Sequence, residues 1–242
     1  SARIANELKD QPEIRATLFD TMGQVYRNLG LYDKAIDLVQ AGLTIREQRL
    51  GIDSLETALS LDNLGAISLN KADYDSAEDL MRRALEIRRK RLGPNSPQIA
   101  ESYNNISQVQ FEKGNYAKSE ELVRQALAIQ RKSLDEGSLE VANSLNSLAM
   151  ILKYEDKLAE SEPFYQEALS TRRKLLGSEH PLVAQSINNL AMLYLRTKNY
   201  PEADKLFQEA LSINRKSLGN GHPEVSANLN NLALLNRERN RC

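Results

Sequence analysis

The stretch Ile187–Asn228, INNLAMLYLRTKNYPEADKLFQEALSINRKSLGNGHPEVSAN, returns along the chain every 42 residues. Shifting the sequence by that period sets Phe19, Leu61, Tyr103, Leu145 and Leu229 onto Ile187, all of them apolar and none needing a gap. Leucine recurs at two later places in each copy: Leu43, Leu85, Leu127, Leu169 and Leu211, then Leu50, Leu92, Leu134, Leu176 and Leu218. Such a fixed period marks a repeat architecture, in which each unit buries its apolar face only against its neighbours.

Within a copy the apolar residues fall at helical spacing. Counting the first residue as position 0, positions 0, 3 and 6 give Leu145, Leu148 and Ile151, or Ile187, Leu190 and Leu193, which share one face of a helix at about 100° per residue. This is helix A. Helix B follows, with Leu206, Phe207, Ala210, Leu211 and Ile213 opposite Asp204, Lys205, Gln208 and Glu209. Breakers such as GLYD (Gly30–Asp33), KGNY (Lys113–Tyr116) and KNYP (Lys198–Pro201) separate A from B, and Pro201 stands where a first helical residue tolerates it. After B come Gly51, Gly93, Gly177 and Gly219, suited to a left-handed C-terminal residue. Ser54, Ser96, Ser138, His180 and His222 follow as N-caps, with proline next at Pro97, Pro181 and Pro223, then Glu56, Glu140 and Glu224 at the positive helix end. Each helix is expected to run about 17 residues and ~25 Å.

Ile187, Leu190, Ala191, Tyr194, Ala203, Phe207 and Ala210 match, residue by residue, the tetratricopeptide (TPR) signature of large apolar, L, G/A, aromatic, A, F/Y and A. The chain therefore resembles the TPR family. Its period of 42, where about 34 is usual, and its LGxxHPxVA linker are similar to the repeats of kinesin light chains. Arrays of this kind also resemble nephrocystin-3 and the TPR regions of bacterial eukaryotic-like serine/threonine kinases, which Ala5–Ala35 resembles most. The resemblance implies an all-α, right-handed α-solenoid of helix–turn–helix repeats. Over 1–242 it is read as a single solenoid: 1–18 the end of a preceding helix, a linker and the start of the first helix A; repeats 19–60, 61–102, 103–144, 145–186 and 187–228; and 229–242 a capping helix. Both ends read as cut from a longer array.

A formal net charge of −1 gives no global pull toward nucleic acid or membrane. No apolar run reaches the ~18 residues of a membrane span, and the N-terminus lacks signal-peptide character. The lone cysteine, Cys242, precludes an internal disulfide framework and accords with a reducing cytoplasm. No phosphate loop, nucleophile elbow or HExxH occurs, so no catalytic activity and no cofactor are expected. His180 and His222 occupy one loop position in successive repeats, ~8–10 Å or more apart, and read as caps or loop contacts, not metal ligands. The basic run Arg82–Arg91 (RRALEIRRKR) is the strongest nucleic-acid signal. Basic pairs recur at the same helix end, however, at Arg131–Lys132, Arg173–Lys174 and Arg215–Lys216, where they complement the helix dipole, and no aromatic stripe interleaves them.

The face of helix A opposite its apolar stripe is not uniformly charged. Position 1 reads Asp20, Asp62, Asn104, Asn146, Asn188 and Asn230. Position 5 reads Gln24, Ala66, Gln108, Met150, Met192 and Leu234, and position 8 reads Arg27, Leu69, Phe111, Lys153, Leu195 and Arg237. By the resemblance, these positions line a concave groove that binds extended peptide. An asparagine carboxamide, both donor and acceptor, suits a peptide backbone. Asn63, Asn105, Asn189 and Asn231 at position 2 are open to two readings, a bond to the neighbouring helix or to the ligand. Family members that grip a C-terminal carboxylate or acidic cargo use Lys or Arg here, and Asp20 and Asp62 depart from that pattern. The acidic end (Asp20, Asp62, Glu101, Glu112) and the basic end (Lys153, Arg196, Arg237) imply a ligand basic over the first three repeats, with an apolar anchor and an acidic neighbour over the later ones. The expected function is a non-catalytic, cytoplasmic scaffold for a protein or peptide partner, within a larger bacterial signalling protein and probing neither nucleic acid nor membrane. The rival is a structural module that self-associates end to end; the groove-binding reading expects a monomer.

Overall fold

The computed structural model describes residues 11–135 and 137–240, so the helix end expected over 1–9 and the terminal Cys242 lie outside the described residues. The helices group into two compact units, divided between Ser133 and Leu134. The first unit holds α1 (Pro12–Asn28), α2 (Tyr32–Leu50), α3 (Leu55–Asn70), α4 (Tyr74–Arg91), α5 (Pro97–Glu112) and α6 (Tyr116–Ser133). The second holds α7 (Leu139–Tyr154), α8 (Leu158–Leu176), α9 (Pro181–Arg196), α10 (Tyr200–Leu218) and α11 (Pro223–Arg239). Among the described residues there is no strand. Within each unit a helix A packs on its own helix B, each B packs on the A that follows, and successive A helices lie side by side, α1–α3–α5 and α7–α9–α11. The fold is thus an all-α solenoid of helix pairs.

Local chemistry sets the helix ends. The hydroxyl of Ser54 accepts from the Thr57 N–H at 3.1 Å, Ser96 from Gln98 at 3.3 Å, and Ser138 from Val141 at 3.3 Å. His180 and His222 do the same with a ring nitrogen: Nδ1 accepts from the Leu182 N–H at 3.1 Å and from the Glu224 N–H at 3.2 Å. The histidines are therefore N-caps, each satisfying one of the orphan amides of a helix start.

Every turn from A to B has one geometry. A single residue sits at positive φ: Gly30 (74°), Ala72 (61°), Gly114 (76°), Asp156 (63°) and Lys198 (61°). The next amide returns to the carbonyl five residues back, Leu31 to Tyr26, Asp73 to Ser68, Asn115 to Gln110, Lys157 to Leu152 and Asn199 to Tyr194. This closes the last carbonyls of helix A in a Schellman turn. After helix B the left-handed helical residue expected there is not formed: ψ is 159° at each of three glycines, which leave the helix in an extended conformation open to glycine, and Gly51 (φ 91°), Gly177 (81°) and Gly219 (84°) are at positive φ. Gly93 is not: α4 stops at Arg91, and Leu92 leaves the helix extended (φ −119°), so no left-handed residue is needed there.

Helices A and B meet through small residues. A Cβ built on Gly23 would lie 2.3 Å from Cγ2 of Val39, and one on Gly65 would lie 2.8 Å from Cγ of Met81. Ser107, at the same position, shares a 2.8 Å hydrogen bond with Ser119, and Ala149 and Ala191 are fully buried. Val39 is β-branched and stiff, whereas Met81 can re-pack. Gly23→Ala is therefore expected to lower stability by about 1–3 kcal/mol and Gly65→Ala by distinctly less, as read from urea midpoints; equal losses would show that the close approach does not depend on the facing side chain.

Candidate functional site

Position 1 of helix A, read from the sequence as ligand-facing, divides between the two units. In the first unit Asp20 and Asp62 are 5% and 7% exposed. Arg46, on α2, donates from Nη1 to the Asp20 carboxylate and to the Ser60 hydroxyl on α3. One repeat on, Arg88 pairs with Asp62 and donates to Ser102 Oγ at 2.6 Å. Each node thus joins three successive helices. The two carboxylates are interior groups here, because the next repeat covers the side of helix A that its own partner leaves open, and the acidic end read from the sequence loses two of its members.

Burial pushes the Asp20 carboxyl above its ordinary value and pushes Asp62 up to about 6, outweighing the pull of Arg46 and Arg88. Such pairs hold when intact yet cost more in desolvation than a neutral network would.

The second unit solves the same joint without carboxylates. Arg172 is 3% exposed and donates to neutral oxygens: Ser186 Oγ at 2.7 Å, Asn143 Oδ1 at 2.7 Å, the Leu182 carbonyl at 3.0 Å and Gln185 Oε1 at 3.1 Å. Asn214 donates to Asn228 Oδ1 at 2.8 Å, and Asn228 to Asn188 Oδ1 at 3.3 Å. Asn189 donates to Asn146 Oδ1 at 3.0 Å and Asn231 to Asn188 Oδ1 at 2.8 Å. Of the two readings of position 2, the bond to the neighbouring helix is the one present at Asn189 and Asn231. Asn146 and Asn188 are half-buried and use their oxygens within the chain, and among the described residues no bond occupies their Nδ2 groups. These remain as donors at the surface.

Beside that row, Met150, Met192 and Leu234 are half-buried, Asn230 is exposed and Tyr154 is 48% exposed. Lys153 is half-buried, with Nζ 5.6 Å from the Tyr154 ring centroid. Burial first, and then the charge of Arg196, hold its ammonium below the ordinary lysine range. Arg196 is exposed and bonds Asp156 at 3.0 Å. Among the described residues neither Lys153 nor Arg172 has a carboxylate partner, which leaves the α7–α9–α11 face with uncompensated positive charge. In the first unit, Asn104 and Asn105 are half-buried and Gln108 is exposed.

The basic run on α4 is largely spent within the chain. Arg82 bonds Glu78 at 2.7 Å, Arg88 is buried on Asp62, Arg89 bonds Tyr103 Oη at 2.7 Å, Lys90 reaches Asp53 at 3.5 Å and Arg91 the Asp53 carbonyl at 2.8 Å. No cluster of metal-ligating side chains occurs among the described residues, and no described helix is long and apolar enough to cross a membrane.

The arginine and serine of the buried nodes were not singled out in the sequence. The signal available was a polar residue recurring in register inside apolar stripes, Arg46, Arg88, Gln130, Arg172 and Asn214 with Ser60, Ser102, Ser144, Ser186 and Asn228.

The chain matches the tetratricopeptide repeat family model over residues 13–90, 69–132, 140–216 and 182–242, and it belongs to that family. Solved structures agree on the fold. The nearly identical TPR-like repeats ascribed to a Podosopora anserina kinesin light chain share 22% identity over 86% of this chain and 98% of that one, with a TM-score of 0.69. BtubC (BKLC) from P. vanneervenii shares 24% identity over 95% and 85%, with a TM-score of 0.69. A signal-transduction ATPase with numerous domains and a TPR sensor, from Pyrococcus horikoshii, shares 17% identity over 95% of this chain and 34% of that one, at 0.70. No curated protein matches in sequence. Its fold is similar to that of these kinesin-light-chain-type arrays, and repeats of the TPR family generally mediate protein–protein interaction without catalysis.

The nodes can be tested by exchange. Asp62→Ala strands Arg88 and is expected to cost about 3–5 kcal/mol. Asp62→Asn, Arg88→Asn and Ser102→Asn together copy Asn188, Asn214 and Asn228 and should retain or raise stability. Because the folded pKa of Asp62 lies above its unfolded value, the folded state binds the proton more tightly. Stability from this group is therefore fully present below its ordinary value of 3.8 and lost as pH rises through about 6. Urea titrations from pH 4 to 7 should show the wild type losing ground to the triple variant across that window, and parallel curves would refute the assignment.

Proposed function

We propose that the chain is a non-catalytic scaffold that binds an extended peptide segment along the α7–α9–α11 face, within a larger signalling protein acting in the cytoplasm. The supporting observation is the row of half-buried Met150, Met192 and Leu234 beside asparagine donors and a lysine without a carboxylate partner. Methionine adapts its shape to different apolar groups and so suits an anchor pocket. The Nδ2 groups of Asn146 and Asn188 donate to ligand backbone carbonyls whatever the side chains. Lys153 and Arg196, with Arg172 beneath, favour an acidic residue next to the anchor. In the first unit the lining reduces to Asn104, Asn105 and Gln108; Asp20 and Asp62 act there by holding Arg46 and Arg88, not by touching ligand. The likeness to the TPR sensor of a signal-transduction ATPase supports the signalling context.

Each asparagine–backbone bond contributes only about 0.5–1.5 kcal/mol net, so affinity concentrates in the anchor. The test is peptide-library selection on the wild type and on the Met150→Lys, Met192→Lys double variant. The wild type is expected to select an apolar residue with an acidic neighbour, and the variant to lose the apolar preference. Identical profiles, or no enrichment at all, would overturn the assignment.

A further inference from the structure

Position 1 of helix A and the polar node residue of helix B vary together along the chain. Where position 1 is an acid, the helix B residue is arginine: Asp20 pairs with Arg46, and Asp62 with Arg88. In two further copies position 1 is asparagine and the helix B residue in register is a neutral amide, Gln130 for Asn104 and Asn214 for Asn188. One copy departs from both patterns, with Arg172 in register with Asn146. Every other full copy is balanced in charge at the node, whereas Arg172 is 3% exposed and has no carboxylate partner among the described residues.

A charge taken out of water calls for a counter-charge or a full set of acceptors. Burial holds the Arg172 guanidinium below the ordinary arginine value. Its Nη1 shares two hydrogens among three oxygens, those of Leu182, Gln185 and Ser186. The other edge is poorer. Nη2 meets one acceptor, Asn143 Oδ1 at 2.7 Å, and the buried Nε meets none among the described residues. In a guanidinium the Nε and Nη2 hydrogens on this edge run parallel, spaced to take both oxygens of one carboxylate. Asn143 is exposed and lies in the second turn of α7, so its amide can rotate away without disturbing the packing of that helix.

We propose that this edge of Arg172 is a carboxylate receptor. An aspartate or glutamate side chain of the segment seated on the α7–α9–α11 face displaces Asn143 Oδ1 and pairs through both oxygens with Nε and Nη2. The ligand thereby completes from outside the pairing that Asp20 and Asp62 supply from within to Arg46 and Arg88. Lys153 and Arg196 draw an acid toward this face, and Arg172 distinguishes the acid from its amide, since a glutamine or asparagine would set an N–H against a donor. The source of the carboxylate rests on the peptide-binding reading above; the receptor itself does not.

Two measurements separate the receptor from its source. Sodium propionate, compared with sodium chloride at equal ionic strength, is titrated into the whole 242-residue chain labelled with heavy nitrogen, and the Arg172 Nε–H resonance is followed, assigned by its loss in Arg172→Lys. A saturable downfield shift is expected. Asn143→Ala, which removes the competing oxygen, should tighten propionate binding several-fold. Asn143→Asp, which closes the ion pair within the chain, should abolish the response and raise the urea midpoint; both variants alter an exposed side chain, and circular dichroism checks that they fold. For the source, the library selection is run with peptides lacking a free C-terminus on the wild type and on Asn143→Asp. The variant should select the same apolar residue without the acidic neighbour. A shift that is absent or does not saturate, or one that Asn143→Asp leaves intact, overturns the receptor. Saturation by propionate with an acidic preference that survives Asn143→Asp overturns the peptide side chain as its source. Saturation with no peptide enriched at all sinks the groove reading instead and assigns the receptor to a free carboxylate.

Discussion

A guanidinium removed from water must find oxygens on several sides, and that requirement governs how one helix pair of this chain meets the next. Arg46 and Arg88 each reach an acid on the A helix of their own pair and a serine on the A helix that follows. Apolar contact between helices tolerates small slides, whereas a buried charge flanked by two fixed oxygens does not. The period of 42 residues is thus enforced at two levels: by the small residues that bring A against B, and by a polar node that indexes one pair onto another. In the second unit the indexing persists with neutral partners, which shows that geometry, not charge, is the property retained.

Much of this was legible beforehand. The period, the caps at Ser54, Ser96, Ser138, His180 and His222, and the breaks between A and B follow from local chemistry: a short polar acceptor before an apolar run, and a residue tolerant of positive φ after one. Asp20 and Asp62 were misplaced for a physical reason. Helical periodicity says which side of a helix faces its partner in the same pair; it does not say what a later repeat lays against the opposite side. Ala72, Asp156 and Lys198 were hidden in another way, since the turn imposes positive φ through its hydrogen bonds, whichever residue stands there.

The two units put their polar residues to different ends. In the first, acid and base neutralise each other inside. In the second, asparagine oxygens are engaged between helices while their amides face outward, and cations stand without carboxylates near methionine. Spare donors, adaptable apolar side chains and unbalanced positive charge are what the peptide-binding role proposed for this face requires. Closed ion pairs have the properties of a joint.

The placement of the nodes also decides how such a chain can be lengthened, shortened or recombined. Asp20, Arg46 and Ser60 fall inside the sequence copy 19–60, and Asp62, Arg88 and Ser102 inside 61–102. The compact helix pair Pro12–Leu50 does not contain its own node, because Ser60 belongs to the next helix. A duplication or graft cut at the copy boundary carries a complete set of partners with it, whereas one cut at the visible loop between pairs delivers an arginine to a neighbour that need not supply its oxygen. The unit of exchange in this array is therefore the 42-residue block read in the sequence, offset by half a helix from the pair that the eye picks out.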